Sequence, residues 1–433
     1  MNPLELLIEW EEAPTVRSPV LASTWARLEI RVQGKLITRF WSEPTNAIRA
    51  GVHGSLFPLA RWISRNWWHL LVETIPSPAV LQSARRVQSL MRPWMERHNL
   101  VHAREGMAYP DLAIYREDDL VGVRWLPDPE DVTTPGRFIG EGAVHLHRAE
   151  VEAGLAGLVD SVLARTADVV DDEVEALRAD WGAIQNASPD ERALCERLAA
   201  LGLDPYAPDP DDEMEVLLST DLGLPPAVLQ DLLAATTRDR IHGHLATTRQ
   251  LIARLPAILA AREYTSDSAS YDPRPYLAGY QRAEAVRRQF GLDPGDPVDD
   301  LPALLERQVG AVETTWIPAS ERQDIEAAVE RNGVCALVAG ARAARAQRFL
   351  LARALHHWQF VTRGSHELRL LTHARDWQQS ASRAFAAELL APAKALAARL
   401  RGESGWEFMQ PLAEEFQVDT KVIAHQLENH GLG

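Results

Sequence analysis

Residues 348–360 read RFLLARALHHWQF. In a helix of the form His-Glu-x-x-His the two histidines fall one turn apart on one face and ligate zinc, while the glutamate activates the bound water. Here His357 stands at the second histidine, but Arg353 occupies the first and Ala354 the glutamate. Catalytic zinc needs about three protein ligands and an open position, and a guanidinium at 353 sets positive charge where the cation would sit. Loss of a general base alone removes on the order of 10²–10⁴ in rate. Arg353, Ala354 and His357 therefore read as vestigial motif positions, with no catalytic residue, metal or other cofactor expected among them.

Two other readings of this stretch remain open. His356, His357 and Asp376, with His366 and His373 nearby, form a fallback set of zinc ligands if the following loop folds back. His356 lies about 100° around the helix from His357, so the two do not reproduce the i, i+4 pair. The plainer expectation is an imidazole of His357 hydrogen-bonded inside the pocket, to Asp376 or a main-chain carbonyl. Arg353 is either a structural ion pair filling the vacated cavity or a cation that receives an anionic ligand, and Arg342, Arg345 and Arg348 extend the basic stretch.

Elsewhere the chemistry is thin. His145 and His147 in AVHLH share one face of an expected strand, without a third ligand at a recognisable spacing. His242 and His244 are two apart in helical surroundings and point to different sides. RWISRNWW concentrates three of the thirteen tryptophans; Trp67 falls on an apolar stripe, which leaves Trp62 and Trp68 as a possible contact surface. No glycine-rich phosphate loop, nucleophile elbow or cysteine pair at metal spacing is present.

The elements that would position these residues are mixed. ARLEIRVQGKLITRFW (26–41) alternates about a Gln-Gly-Lys turn as a hairpin would, and GSLFPLARWISRNWWHLLVE repeats apolar residues at helical spacing. DLAIYRED, LVGVRWLPD and RFIGEGAVHLH read as strands, and AEVEAGLAGLVDSVLART as a helix. An N-terminal α+β domain is thus expected over 1–167. A helical middle section follows over 168–264, in which Ser188 caps a helix with Glu191 three residues on. EYTSDSASYDPRP marks a linker, 265–275. Beyond it come helices, the apolar strand NGVCALVAG, the motif helix, and a closing pair of helices with the rhythm of a helix-turn-helix over 403–433. The fold class expected is α+β, predominantly helical.

A length of 433 residues implies several domains, and 46% hydrophobic with 24% charged residues fits a globular protein. No apolar run approaches the roughly 20 residues of a membrane span. Acidic residues in MNPLELLIEWEE and two distant cysteines, Cys195 and Cys335, point to a reducing cytoplasm. The formal charge of −16 opposes non-specific attraction to nucleic acid. The closing helix agrees, since Lys421 is its one basic residue and Glu414, Glu415 and Glu428 oppose phosphate.

On NGVCALVAG, RFLLARALHHW, SRAFAAELLAP and the closing LAEEFQVDTKVIAHQLENHGL, the chain beyond residue 272 resembles the ImmA/IrrE family of metallopeptidase-like proteins. Arg348 and Phe349 match the family's Arg-Phe pair. The family's third ligand is a carboxylate just before FAAELL, where this chain has Gln379 and Ser380, with Asp376 several residues early. The resemblance implies a zincin-like domain with a small sheet over 276–402. It also implies a role in bacterial stress response, mobile-element control or phage defence. A catalytically inactive regulatory or scaffold protein is expected, contacting a protein partner through a groove lined by Arg353 and His357, with Trp62 and Trp68 as further contacts. The alternatives are a divergent zinc metallopeptidase with relocated ligands and a DNA-binding regulator. The sequence names no small-molecule ligand.

Overall fold

The computed structural model describes residues 3–13, 15–76, 84–117, 120–128, 136–207, 214, 217–218, 222–255, 274–293, 295–318, 324–331, 335–361, 368–400 and 406–432. The fold is α+β and predominantly helical, with four small sheets among the described residues. No helix among them is long and apolar enough to cross a membrane. The chain divides into two compact units, Met1–Pro76 with Leu81–Asp221, and Ser77–Val80 with Leu222–Gly433. The expected middle section 168–264 is therefore shared out: helices Asp172–Asn186 and Pro189–Ala200 belong to the first unit, Pro226–Ala235 and Ile241–Ile252 to the second. Residues 265–273 of the expected linker, and the start of the tail at 403, lie outside the described residues.

In the first unit the hairpin forms between Trp25–Val32 and Lys35–Leu36, turning at Gln33 and Gly34 with φ of 48° and 76°. Both central residues in the left-handed region is the geometry whose twist matches a two-residue hairpin. The second strand is shorter than expected because Thr38 ends the ladder. Its hydroxyl accepts from Ile30 N–H at 3.1 Å and donates to Ala50 O at 2.7 Å. Phe40–Ser42 then joins a separate sheet with Ala47–Arg49 and Gly136–Phe138.

Helix Phe57–Val72 runs through this unit's core, packed against Arg148–Arg165, Asp172–Asn186, Pro189–Ala200, Ala84–His98 and strand Asp111–Glu117. With neighbours on so many sides it buries thirteen of its sixteen residues, leaving Arg61, Arg65 and Asn66 toward solvent. Ser188 caps its helix as expected, accepting from Glu191 N–H at 3.2 Å.

The second unit is built on a four-stranded sheet in the order Val312–Ile317, Cys335–Gly340, Ile325–Arg331, Arg369–Thr372. The first pair is parallel and the other two antiparallel. Cys335–Gly340 is the buried strand that the apolar run implied, and it leads into helix Ala344–Phe360. That helix lies between the sheet and helix Trp377–Leu390, which packs in turn on Pro275–Gln289. The last contact is close: a Cβ on Gly279 would stand 2.5 Å from Ala381 O. The closing helices, Trp406–Glu415 and Thr420–Asn429, bury Leu412, Phe416, Val418, Ile423 and Leu427 in this same core.

Candidate functional site

Every residue from Ala352 to Trp358 is buried, because helix Ala344–Phe360 is covered on one side by the sheet and on the other by Trp377–Leu390. Arg353 is 1% exposed and His357 3%. They share the inner side of the helix, as the motif spacing requires, and both are buried rather than presented to solvent. The expectation of a groove open to a partner is corrected by this packing.

A guanidinium buried so deeply must be paired and hydrogen-bonded, and four of the five N–H groups of Arg353 are. Its Nη1 forms an ion pair with Glu326, Nε donates to Ser382 Oγ at 3.3 Å, and Nη2 donates to Thr372 O and Gln379 Oε1, each at 2.7 Å. The structural ion pair is thus the reading of Arg353 that the geometry carries. Glu326 lies where the ladder between Ile325–Arg331 and Arg369–Thr372 slips, Ile325 facing Thr372 and Ala327 facing Leu371. A bulge of this kind re-aims a side chain, here placing the carboxylate against the helix. Glu326 Oε1 is also met by His373 Nε2 at 3.1 Å and accepts from Arg342 Nη1 at 3.3 Å. Burial would raise the pKa of this carboxyl; Arg353, His373 and Arg342 instead hold it well below the usual carboxylate range. With its oxygens engaged and its proton affinity depressed, Glu326 is no general base.

Gln379 completes the knot. Its Oε1 also accepts from Thr372 N–H at 2.9 Å and its Nε2 donates to Leu370 O at 2.7 Å. Asp376 does not bond His357; it caps helix Trp377–Leu390, accepting from Gln379 N–H at 2.7 Å. Burial, followed by the nearby Asp231 carboxylate, raises its pKa. Asp231 itself clamps the sheet's outer strand, accepting from Arg369 at 2.9 and 2.7 Å and from Leu370 N–H at 2.9 Å.

The surroundings of the adjacent histidines favour the neutral imidazole. Burial lowers both pKa values well below the ordinary imidazole range, helped for His356 by Arg282 and Arg353 and for His357 by His356, Arg369 and Arg353. His356 Nε2 accepts from Arg282 Nη1 at 2.9 Å. Neither ring nitrogen of His357 has a hydrogen-bond partner among the described residues, which corrects the expected bond to Asp376 or a carbonyl. Among the described residues no three His, Cys, Asp or Glu side chains are placed to hold a metal ion, so His356, His357 and Asp376 are not brought together as a ligand set. His366 lies outside the described residues. At the position that the resemblance assigns to a first ligand stands a cation, already paired with Glu326.

Trp62 and Trp68 are 8% and 3% exposed, so the expected aromatic surface is corrected to core. Trp62 Nε1 donates to Glu96 O at 2.9 Å, and Arg192 stacks over Trp68 at 5.7 Å. His145 pairs with Glu117 at 2.7 Å and His147 N-caps Arg148–Arg165, while His244 Nδ1 meets Thr236 Oγ1 at 2.9 Å. Each is an ordinary structural histidine.

Sequence reasoning missed Glu326, Asp231 and Ser382, and in the first unit Glu73. The acid in IEAAVER, alone within a strand of small apolar residues, was the signal for Glu326. Glu73 gathers Arg97 Nε at 2.8 Å and the imidazoles of His69 and His98 at 3.0 Å each, and His98 Nδ1 meets Ile114 O at 2.6 Å. Burial opposes ionisation of Glu73, but the histidines and Arg97 hold its pKa well below the usual value. This knot joins Phe57–Val72, Ala84–His98 and Asp111–Glu117.

No protein-family model and no curated protein sequence matches the chain.

Proposed function

We propose that this chain is a catalytically inactive, ImmA/IrrE-like pseudopeptidase that acts as a regulatory or scaffold protein on a protein partner. The setting proposed is the bacterial cytoplasm, in stress response, mobile-element control or phage defence. One observation carries the reading: at the first metal-ligand position a guanidinium is ion-paired to Glu326 and bonded to Ser382, Thr372 and Gln379. A hydrolase has no use for a cation locked in its metal seat, whereas a binding protein keeps the scaffold and loses nothing. The two buried free thiols, Cys195 and Cys335, support a reducing compartment.

The burial of Arg353 and His357 moves the expected partner contact away from the vestigial cleft. DNA is disfavoured as that partner: the closing helices bury their apolar face in the second unit's core, and Lys421 stands among acids. The test is affinity purification of the full chain from its host, compared with the Arg353→Met variant in the same host. The reading expects a defined protein to co-purify stoichiometrically and to remain intact on prolonged incubation. Cleavage of that protein, abolished by a chelator, would contradict it.

A further inference from the structure

Four helices of the first unit border a cavity of about 300 Å³, at the small end of the roughly 300–1,000 Å³ of ligand sites. Trp67 of Phe57–Val72 and Ile184 of Asp172–Asn186, both buried, form its floor. Helix Arg148–Arg165 gives it room, because the alanines at 149, 153 and 156 are spaced to share one face. Gln185 of Asp172–Asn186 and Arg192 of Pro189–Ala200 are exposed and stand at its rim. A face of small residues makes only a hollow; the polar groups around it decide what fits.

Two groups in this lining lack the partners that their kind has elsewhere in the unit. The indoles of Trp62, Trp94 and Trp181 donate to Glu96 O, Thr74 O and Asp160 Oδ1 at 2.9, 3.0 and 2.7 Å, as buried indoles ordinarily do. Trp67 is only 6% exposed, yet its Nε1 has no acceptor among the described residues and keeps contact with solvent. On a side chain so deeply buried, that contact is made at the cavity. Arg192 is the second. An acid four residues on along a helix ordinarily takes such a charge, and Glu196 stands there, but Arg148 has claimed it. Arg148 Nη2 donates to Glu196 at 2.6 Å and its Nε to Glu152 at 2.7 Å. Glu152, the one acid in the lining, is thereby paired. Arg192 forms no ion pair among the described residues, and its guanidinium lies over Trp68, 5.7 Å from the ring centroid. It is the one cation in the lining, and no acid holds it.

We infer that this cavity is a binding site for a small organic acid, an apolar body carrying one carboxylate. The body lies on Trp67 and Ile184 against the alanine face, and its burial supplies affinity. The carboxylate accepts from Arg192, whose paired N–H groups match its two oxygens, and the Trp67 N–H offers a further donor. The free cation selects an acid over the matching amide. An amine gains nothing comparable, because Glu152 is already bonded to Arg148. The site lies wholly in the first unit, so the inference goes beyond the proposed function and does not depend on it.

The test is isothermal titration calorimetry of the full chain with 3-phenylpropionate and with its neutral amide, 3-phenylpropanamide. The acid is expected to saturate one site per chain by about 1 mM, with the amide about tenfold weaker or more. Arg192→Gln should bring the acid down to the affinity of the amide and leave the amide where it was, which a merely structural role of Arg192 would not do. Ala153→Trp fills the cavity from its exposed side and should abolish binding of both. Positions 153 and 192 are exposed, so the melting temperature is expected to stay unchanged in each variant, and a folding defect in one leaves the other to decide. Equal affinity for acid and amide, no saturation by the acid, or wild-type affinity for the acid in either variant overturns the inference. None of these failures alters co-purification or proteolysis in the test of the proposed function.

Discussion

At the scale of single residues, Arg353 and His357 make opposite predictions although they sit one turn apart. Arg353→Met leaves Glu326 charged and buried, and breaking a buried pair in this way costs about 3–5 kcal/mol. Glu326 has a depressed pKa in the folded state, so its contribution is present above the unfolded carboxylate value of about 4.3 and is lost as the pH falls below that. In the variant the deficit shrinks over the same range, because the carboxyl can then take a proton. Urea midpoints at neutral pH and near pH 3 check this, and a deficit that ignores pH would contradict it. His357 carries two unpaired buried nitrogens, and such a group costs about 1–3 kcal/mol. His357→Leu should therefore leave stability unchanged or raise it. Its lowered folded pKa means that the wild type loses stability as the pH falls through the unfolded value of about 6.5; thermal melts between pH 7 and 5 should show a flatter dependence in the variant. A large loss of stability at pH 7 would instead mean that the imidazole holds something.

At the scale of elements, the close crossing of Pro275–Gln289 on Trp377–Leu390 is the most exposed to substitution. A Cβ on Gly279 meets Ala381 O at 2.5 Å and Phe385 N at 2.8 Å, backbone atoms that cannot swing aside, so Gly279→Ala should cost about 1–3 kcal/mol. A denaturant melt with unchanged stability would show that the helices separate freely. Much of the element pattern was legible in the sequence, since apolar period and capping residues are local: Phe57–Val72, Ala344–Phe360 and the Ser188 cap follow from them. Trp62 and Trp68 were misread because a single apolar stripe assumes one buried face, and this helix has neighbours on several sides. The partner of Arg353 was not legible. Glu326 reaches it through a slip in strand register between residues distant in sequence, and register is a property of the assembled sheet.

At the scale of the molecule, each unit has a buried glutamate compensated by arginine and histidine, Glu73 in the first and Glu326 in the second. Neither knot leaves a carboxylate free for acid–base work. The net charge of −16 and the acidic residues of the closing helix pair, Glu414, Glu415 and Glu428 against Lys421, predict that any association with duplex DNA disappears by about 0.15 M salt; retention in a filter-binding assay at that salt would favour the DNA-binding reading. The central claim is that the Arg353–Glu326 pair stands in place of a metal, and metal content tests it most directly. Mass-spectrometric metal analysis of the chain, purified without added zinc, is predicted to find zinc far below one per chain and no change in His357→Ala. Near-stoichiometric zinc in the wild type, lost in that variant, would contradict it.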